Sequence, residues 1–269
     1  MSAPTVAPDL SGLAPINGLQ LYYESFGTGG TPLILLHGGY GMTGMFGDLA
    51  SALATDRRVI AVDLQGHGRT ADIDRPLSLA AMAGDIAALI DYLDLGSVDL
   101  MGYSMGGGVA LRAAIDNPDL VRRLVLVSTP FSRAGWFPEI REQMKMNNRS
   151  GFEFMRQTPM YSGYAAVAPN PDAFPDLMDK MGALLGRDYD WSAEIRTLTM
   201  PVLLMFGDAD SISTAHATEF FELLGGGLRD AGWDGSGMPS ARLAILPGTT
   251  HYDSFKSPLL AQFAVPFLR

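Results

Sequence analysis

The chain of 269 residues is 47% hydrophobic, enough for one large core or for a core carrying an inserted subdomain. Its formal net charge of -10 would repel a polyanion, so no nucleic-acid partner is expected. It contains no cysteine, which excludes disulfides, thiolate metal sites and a cysteine nucleophile together.

Residues 1–15 are rich in Pro, Ala and Ser and read as a loosely held arm. They lack a basic start and an apolar run, and no stretch reaches the length needed to span a bilayer. A cytoplasmic protein without membrane contact is therefore expected. Residues 19–23 alternate as a strand with one face toward water, whereas 32–36 are continuously apolar, as in a strand covered on both faces. That run ends in His37-Gly38-Gly39-Tyr40-Gly41, where the glycines would let the backbone approach a substrate. The loop is a candidate oxyanion site, with a tight turn as the alternative. A helix over 43–54 leads to a buried strand at 58–62 and a turn at 63–70, in which His67 between two glycines is read as bonding local backbone rather than acting as a base. Ser78 caps a helix whose Leu79, Met82, Ile86, Leu89 and Leu93 form an apolar stripe.

The most informative stretch follows. Residues 98–101 form a short buried strand, Gly102-Tyr103-Ser104-Met105-Gly106 has the spacing G-x-S-x-G, and small residues open the helix after it. Flanking glycines suit a serine held in a strained conformation at a strand-to-helix corner, where larger neighbours would collide. A further strand is expected at 124–128. Strands alternating with helices imply a mostly parallel sheet with helices on both faces.

The alternation stops at 131–198, where helical pieces broken by Pro and Gly carry a dense series of aromatic and methionine side chains. This segment is expected to be a helical cap inserted into a core made of 1–130 and 199–269. Its side chains suit an adaptable apolar pocket wall, although any one of them serves equally to hold the cap together. The sheet resumes at 201–206 and runs into Gly207-Asp208-Ala209-Asp210, where two carboxylates at a buried strand end must be hydrogen-bonded or used. A helix over 214–224 precedes a glycine-rich excursion at 225–240, in which Trp233 packs near the site or pins the loop. The last strand is expected at 243–246, the loop bearing His251 at 247–251, and a closing helix over 259–268 interrupted or ended near Pro266.

Together these motifs resemble the α/β-hydrolase superfamily, over essentially the whole chain from Leu19. The elbow is similar to those of small carboxylesterases and of the cofactor-free haloperoxidase (perhydrolase) group, and acyl-homoserine lactonases and pyrethroid-hydrolysing esterases share this size and cap arrangement. The turn after Asp63 has Gln65 where relatives commonly have Arg or Pro. The superfamily's order of nucleophile, acid and base is met by Ser104, Asp210 and His251, and the resemblance implies an α/β-hydrolase fold with an inserted cap. Asp208 is the nearest rival for the acid, and Glu219 and Glu222 are weaker ones.

The chemistry leads to the same residues. A serine hydroxyl needs an adjacent base, and the base needs a third group to hold its tautomer. Of the four histidines, His37 opens the glycine loop, His67 sits in a turn and His216 lies near a helix start; only His251, in a loop past the last strand, can swing over the elbow. The developing oxyanion would be met by the backbone N–H of Met105 and by Gly39. Substrate contacts are expected from Tyr40 and Tyr103 and from the cap residues Trp136, Met155, Met160, Tyr161 and Tyr164. No metal or organic cofactor is called for, and no spaced ligand cluster is seen. The expected activity is hydrolysis of small to medium, partly apolar esters or lactones through an acyl-enzyme, so the expected partner is a small-molecule ester or lactone. Peroxide-dependent chemistry on the same triad and a weakly catalytic ligand receptor are the alternatives.

Overall fold

The computed structural model describes residues 7–269. Eight strands form one sheet in the order β1-β2-β4-β3-β5-β6-β7-β8: β1 Leu10–Ile16, β2 Leu19–Phe26, β3 Leu33–Leu36, β4 Val59–Val62, β5 Val98–Tyr103, β6 Val121–Val127, β7 Val202–Ala209 and β8 Arg242–Thr250. The strands from β3 to β8 are parallel, while β1 and β2 are antiparallel additions at one edge. The helices are α1 Asp48–Leu53, α2 Leu79–Tyr92, α3 Met105–Asp116, α4 Pro138–Lys145, α5 Phe152–Met155, α6 Pro159–Val167, α7 Phe174–Leu185, α8 Ser192–Ile195, α9 Thr214–Leu223 and α10 Leu259–Leu268.

Because side chains alternate across a strand, each central strand serves two cores. Ile34, Leu36, Leu100, Leu124 and Leu204 pack with residues of α2, α3 and α9 on one face. Leu33, Leu35, Met101, Val125 and Leu203 meet α1 and α10 on the other. Helices thus cover both faces, and the strands between them carry no polar face. The one buried carboxylate inside β5, Asp99, is paired with Arg57 at 3.0 Å and Arg122 at 2.6 Å, which offsets part of its desolvation.

Several expectations need correction. Part of the expected amino-terminal arm is β1, which pairs with residues 19–25 of β2 through a hairpin whose corner, Asn17 and Gly18, has positive φ at both residues. Its Pro15 is tolerated because an edge strand lacks a partner on its outer side. Residues 1–6 of that expected arm lie outside the described residues. The helix expected at 43–54 is broken at Gly47, where φ is 46°, into a 3-10 turn and α1. The last strand runs on to Thr250, through residues read as loop, and α10 passes through Pro266 to Leu268. The proline costs α10 one internal hydrogen bond, and only two helical residues follow it.

Between β6 and β7 the chain leaves the sheet and forms α4 to α8. Trp136 rejoins the core through an isolated bridge to Ile212, and Ser132 pairs in the same way with Asp190. The second bridge joins the two ends of the insertion to each other, and the first ties its start to the segment after β7, at the carboxyl edge where parallel α/β sheets present their ligand sites.

Candidate active site

Ser104 stands between the last residue of β5 and the first of α3, with φ 54° and ψ -116°. A non-glycine residue in this region is strained and persists only where its surroundings over-determine it. Here they do. A Cβ on Gly102 would lie 2.3 Å from the carbonyl oxygen of Gly106, and one on Gly106 would lie 2.4 Å from that of His37. The two glycines therefore permit the strand, the helix and the His37 loop to close around one exposed hydroxyl.

That hydroxyl lies 3.0 Å from His251 Nε2, and His251 Nδ1 lies 2.9 Å from Asp210 Oδ1. The network assigns the imidazole proton to Nδ1, donated to the carboxylate, and leaves Nε2 to accept from Ser104. Asp210 also accepts from the Ile212 N–H at 3.2 Å, the Gly207 N–H at 3.3 Å and the Ser128 hydroxyl at 2.6 Å. Burial alone would raise its pKa, but the bonds from His251, Ser128 and Gly207 outweigh burial and hold it below the ordinary carboxylate value.

The rival carboxylates stand elsewhere. Asp208 is exposed and accepts from the Thr249 N–H at 3.2 Å, and Glu219 and Glu222 face solvent on α9. The remaining histidines are buried and locally committed. His37 donates from Nδ1 to the Gly38 carbonyl at 2.7 Å and accepts from the Leu64 N–H at 3.0 Å, with burial pushing its pKa down to about 3. His67 bonds the Gln65 carbonyl at 2.8 Å, and burial pushes it down to about 4. His216 accepts from the Phe131 N–H at 3.2 Å and stacks on the Phe131 ring at 4.0 Å; burial pushes it down to about 4.

A cavity of about 960 Å³ opens above Ser104 and His251, bordered by Gly39, Met105 and side chains of the helical insertion. Among the expected contact residues Tyr40, Tyr103, Trp136, Met155 and Met160 line it. Their polar heads are largely engaged already: Tyr103 donates its hydroxyl to the His251 carbonyl at 2.7 Å, and Tyr40 donates to Asn147 Oδ1. Trp136 sets its edge against the His251 ring at 4.9 Å between centroids. Tyr161 and Tyr164 are not on the cavity wall. They pack around Phe174, at 5.1 and 5.0 Å between ring centroids, and hold the insertion together. Trp233, in the glycine-rich excursion, is fully exposed and packs against neither site nor loop.

Sequence reading missed Ser128, which has φ 49° and no exposed surface, whereas Met144 and Met181, two of the methionines read collectively as a pocket wall, do line the cavity. A serine ending a run of strand residues was the only local sign of Ser128. Among the described residues, no three His, Asp or Glu side chains converge as metal ligands, and no helix is long and apolar enough to cross a membrane.

Comparison with known proteins agrees with this architecture. Residues 31–187, more than half of the chain, match the family described as alpha/beta hydrolase fold, and the chain belongs to that family. A stretch of 117 residues is 41% identical to the dihydrolipoyllysine-residue acetyltransferase component of the acetoin cleaving system of Pseudomonas putida, covering 43% of this chain and 32% of that protein. The chain thus spans about a third of that relative's length. Among solved structures, the enol-lactonase of Burkholderia xenovorans LB400 superimposes with a TM-score of 0.72 at 20% identity, over 95% of this chain and 99% of the other. A thermophilic esterase from Thermogutta terrifontis gives 0.72 at 23% identity, over 97% and 98%.

Proposed function

We propose that the protein is a serine hydrolase of carboxylic esters or lactones, with Ser104 as nucleophile, His251 as general base and acid, and Asp210 as its orienting carboxylate. The observation that carries this reading is the unbroken hydrogen-bonded line from Ser104 through His251 to a buried, ionised Asp210, facing a largely apolar cavity. Two structural neighbours are named for an esterase and a lactonase, which supports the ester class.

In this reading Ser104 Oγ attacks the ester carbonyl as His251 Nε2 takes its proton. Asp210 stabilises the resulting imidazolium. The carbonyl oxygen, now negative, is met by the backbone N–H of Met105, which as the first residue of α3 has no intrahelical acceptor, and by the N–H of Gly39. His251 then protonates the departing alcohol, leaving an acyl-enzyme; a water attacks the acyl carbon as it gives a proton to His251, which passes that proton to Ser104 Oγ as the acid is released. The helices between β6 and β7 act as a cap that selects the substrate, and the methionines on the cavity wall let that selection be broad.

Steady-state hydrolysis of a p-nitrophenyl ester series, with a homoserine lactone added, tests the proposal. Turnover by the wild type that disappears in Ser104→Ala supports it. A folded wild type that turns over none of these substrates overturns it, and the same panel run with hydrogen peroxide then tests the perhydrolase alternative.

A further inference from the structure

The cavity at Ser104 continues along α3. Ser104, Met105, Gly108, Arg112 and Asp116 all border it. Their spacings of one, three, four and four residues keep them on one face of α3. At 1.5 Å per residue, the eight residues from Ser104 to Arg112 extend this wall by about 12 Å.

Three observations make that wall a corridor. Gly108 gives it a wall of bare backbone, and the Leu79 side chain at the start of α2, 3.1 Å from where a Cβ on Gly108 would stand, closes the next side. Trp191, just before α8, supplies another apolar side. The far end is polar and held in place: Arg112 donates from Nε to Asp116 at 2.8 Å and from Nη2 to the same carboxylate. Its Nη1 lies 3.8 Å from Glu194, and the guanidinium carbon sits 5.7 Å from the centroid of the Trp191 ring. Asp116 uses two of the five N–H groups, so donors remain for another acceptor.

We infer that this corridor binds one arm of the substrate, an apolar chain ending in an oxygen acceptor that meets Arg112. An extended chain advances about 1.2 Å per bond, so 12 Å corresponds to roughly ten bonds. Met155 and Met160, on the insertion side of the same cavity, face the remainder of the molecule. The substrate class is then a medium-chain ester with an oxygenated end. A short ester or a five-membered lactone would leave most of about 960 Å³ unfilled. The inference rests on Ser104 being the nucleophile.

The test is kcat/KM for the p-nitrophenyl esters of acetate, decanoate and ω-hydroxydecanoate, with the acetates of decanol and decanediol repeating the comparison for the alcohol arm. In the wild type the ω-hydroxylated member should exceed its plain counterpart in one of the two series. Arg112→Leu should erase that preference, a loss of about tenfold, the scale of one hydrogen bond to a charged group. Gly108→Leu, which fills the corridor, should lower the ratio of decanoyl or decyl ester to short ester by about tenfold or more in that series. Circular dichroism checks that the variants fold, and if Gly108→Leu does not, Arg112→Leu decides alone. The inference is overturned by a wild type without the ω-hydroxyl preference in either series, or by folded variants that keep wild-type ratios. Absence of Ser104-dependent turnover of any ester in the wild type instead overturns the hydrolase reading itself.

Discussion

The Ser128 hydroxyl donates to Asp210 Oδ2 at 2.6 Å, on the side of the carboxylate opposite to that which receives His251. Ser128 reaches it from a backbone with φ 49°, at the end of the strand neighbouring β7. The contact fixes the rotation of the carboxylate, so Oδ1 is presented to the imidazole. It also helps to keep Asp210 ionised.

Ser128→Ala should therefore lower kcat/KM by about tenfold, as expected for loss of one buried hydrogen bond to a charged group. With one donor fewer, the pKa of Asp210 rises toward the ordinary carboxylate range. Ser128→Gly is the control for backbone strain. Glycine accepts positive φ without penalty, yet it lacks the hydroxyl, so it should be as impaired as alanine. If glycine restores activity, the role of Ser128 is conformational.

Ser104→Ala should reduce turnover by about 10⁴-fold or more while leaving the thermal midpoint close to that of the wild type, because alanine keeps the Cβ and loses only the hydroxyl. Single-turnover assays with a chromogenic ester check the rate, and a calorimetric scan checks the fold. Near-normal turnover would remove Ser104 from the mechanism.

Asp210→Asn should be far more damaging than Asp208→Asn. The amide no longer compensates the imidazolium and favours the wrong tautomer of His251, whereas Asp208 reaches only the backbone of Thr249 at the surface. Parallel kcat/KM measurements on the two variants decide it, and the reverse ranking would reassign the acid.

His216→Gln should flatten the acid side of the stability profile. In the folded protein His216 is held down to about 4 by burial, against an ordinary value near 6.5. Its contribution to stability is therefore present above pH 6.5 and is lost as pH falls toward 4, because the unfolded chain takes up the proton first. Glutamine retains an acceptor for the Phe131 N–H without titrating. Urea unfolding between pH 6.5 and 4 should lose up to one proton of pH dependence, about 1.4 kcal/mol per pH unit. His37 and His67 have the same sign and remain in both proteins. Asp63, pushed up to about 6 by burial, has the opposite sign, so the difference between wild type and variant is the readout.

The elbow was legible in the sequence because its cause is local. The strain at Ser104 is relieved by glycines two residues to either side, and strand and helix periodicities flank it directly. The buried central strands were legible for a similar reason, since a run such as 33–36 carries its own signature of two-sided burial. The choice of Asp210 over Asp208 was not local. It depends on the register of β7 against β8, which brings residues 41 positions apart to within 2.9 Å. The same holds for Ser128, whose partner is 82 residues away, and for β1, which is a strand only because β2 supplies its hydrogen bonds. Tyr161 and Met155 looked alike in the sequence, yet one packs inside the insertion and the other borders the cavity, a difference set by how the helices pack around Phe174. Sequence by itself determined the strained serine at the elbow and the alternating parallel architecture, since sterics and periodicity act over a few residues. The tertiary structure showed which carboxylate, which second hydroxyl and which pocket walls meet at that serine, since those contacts exist only once distant strands and helices are in register.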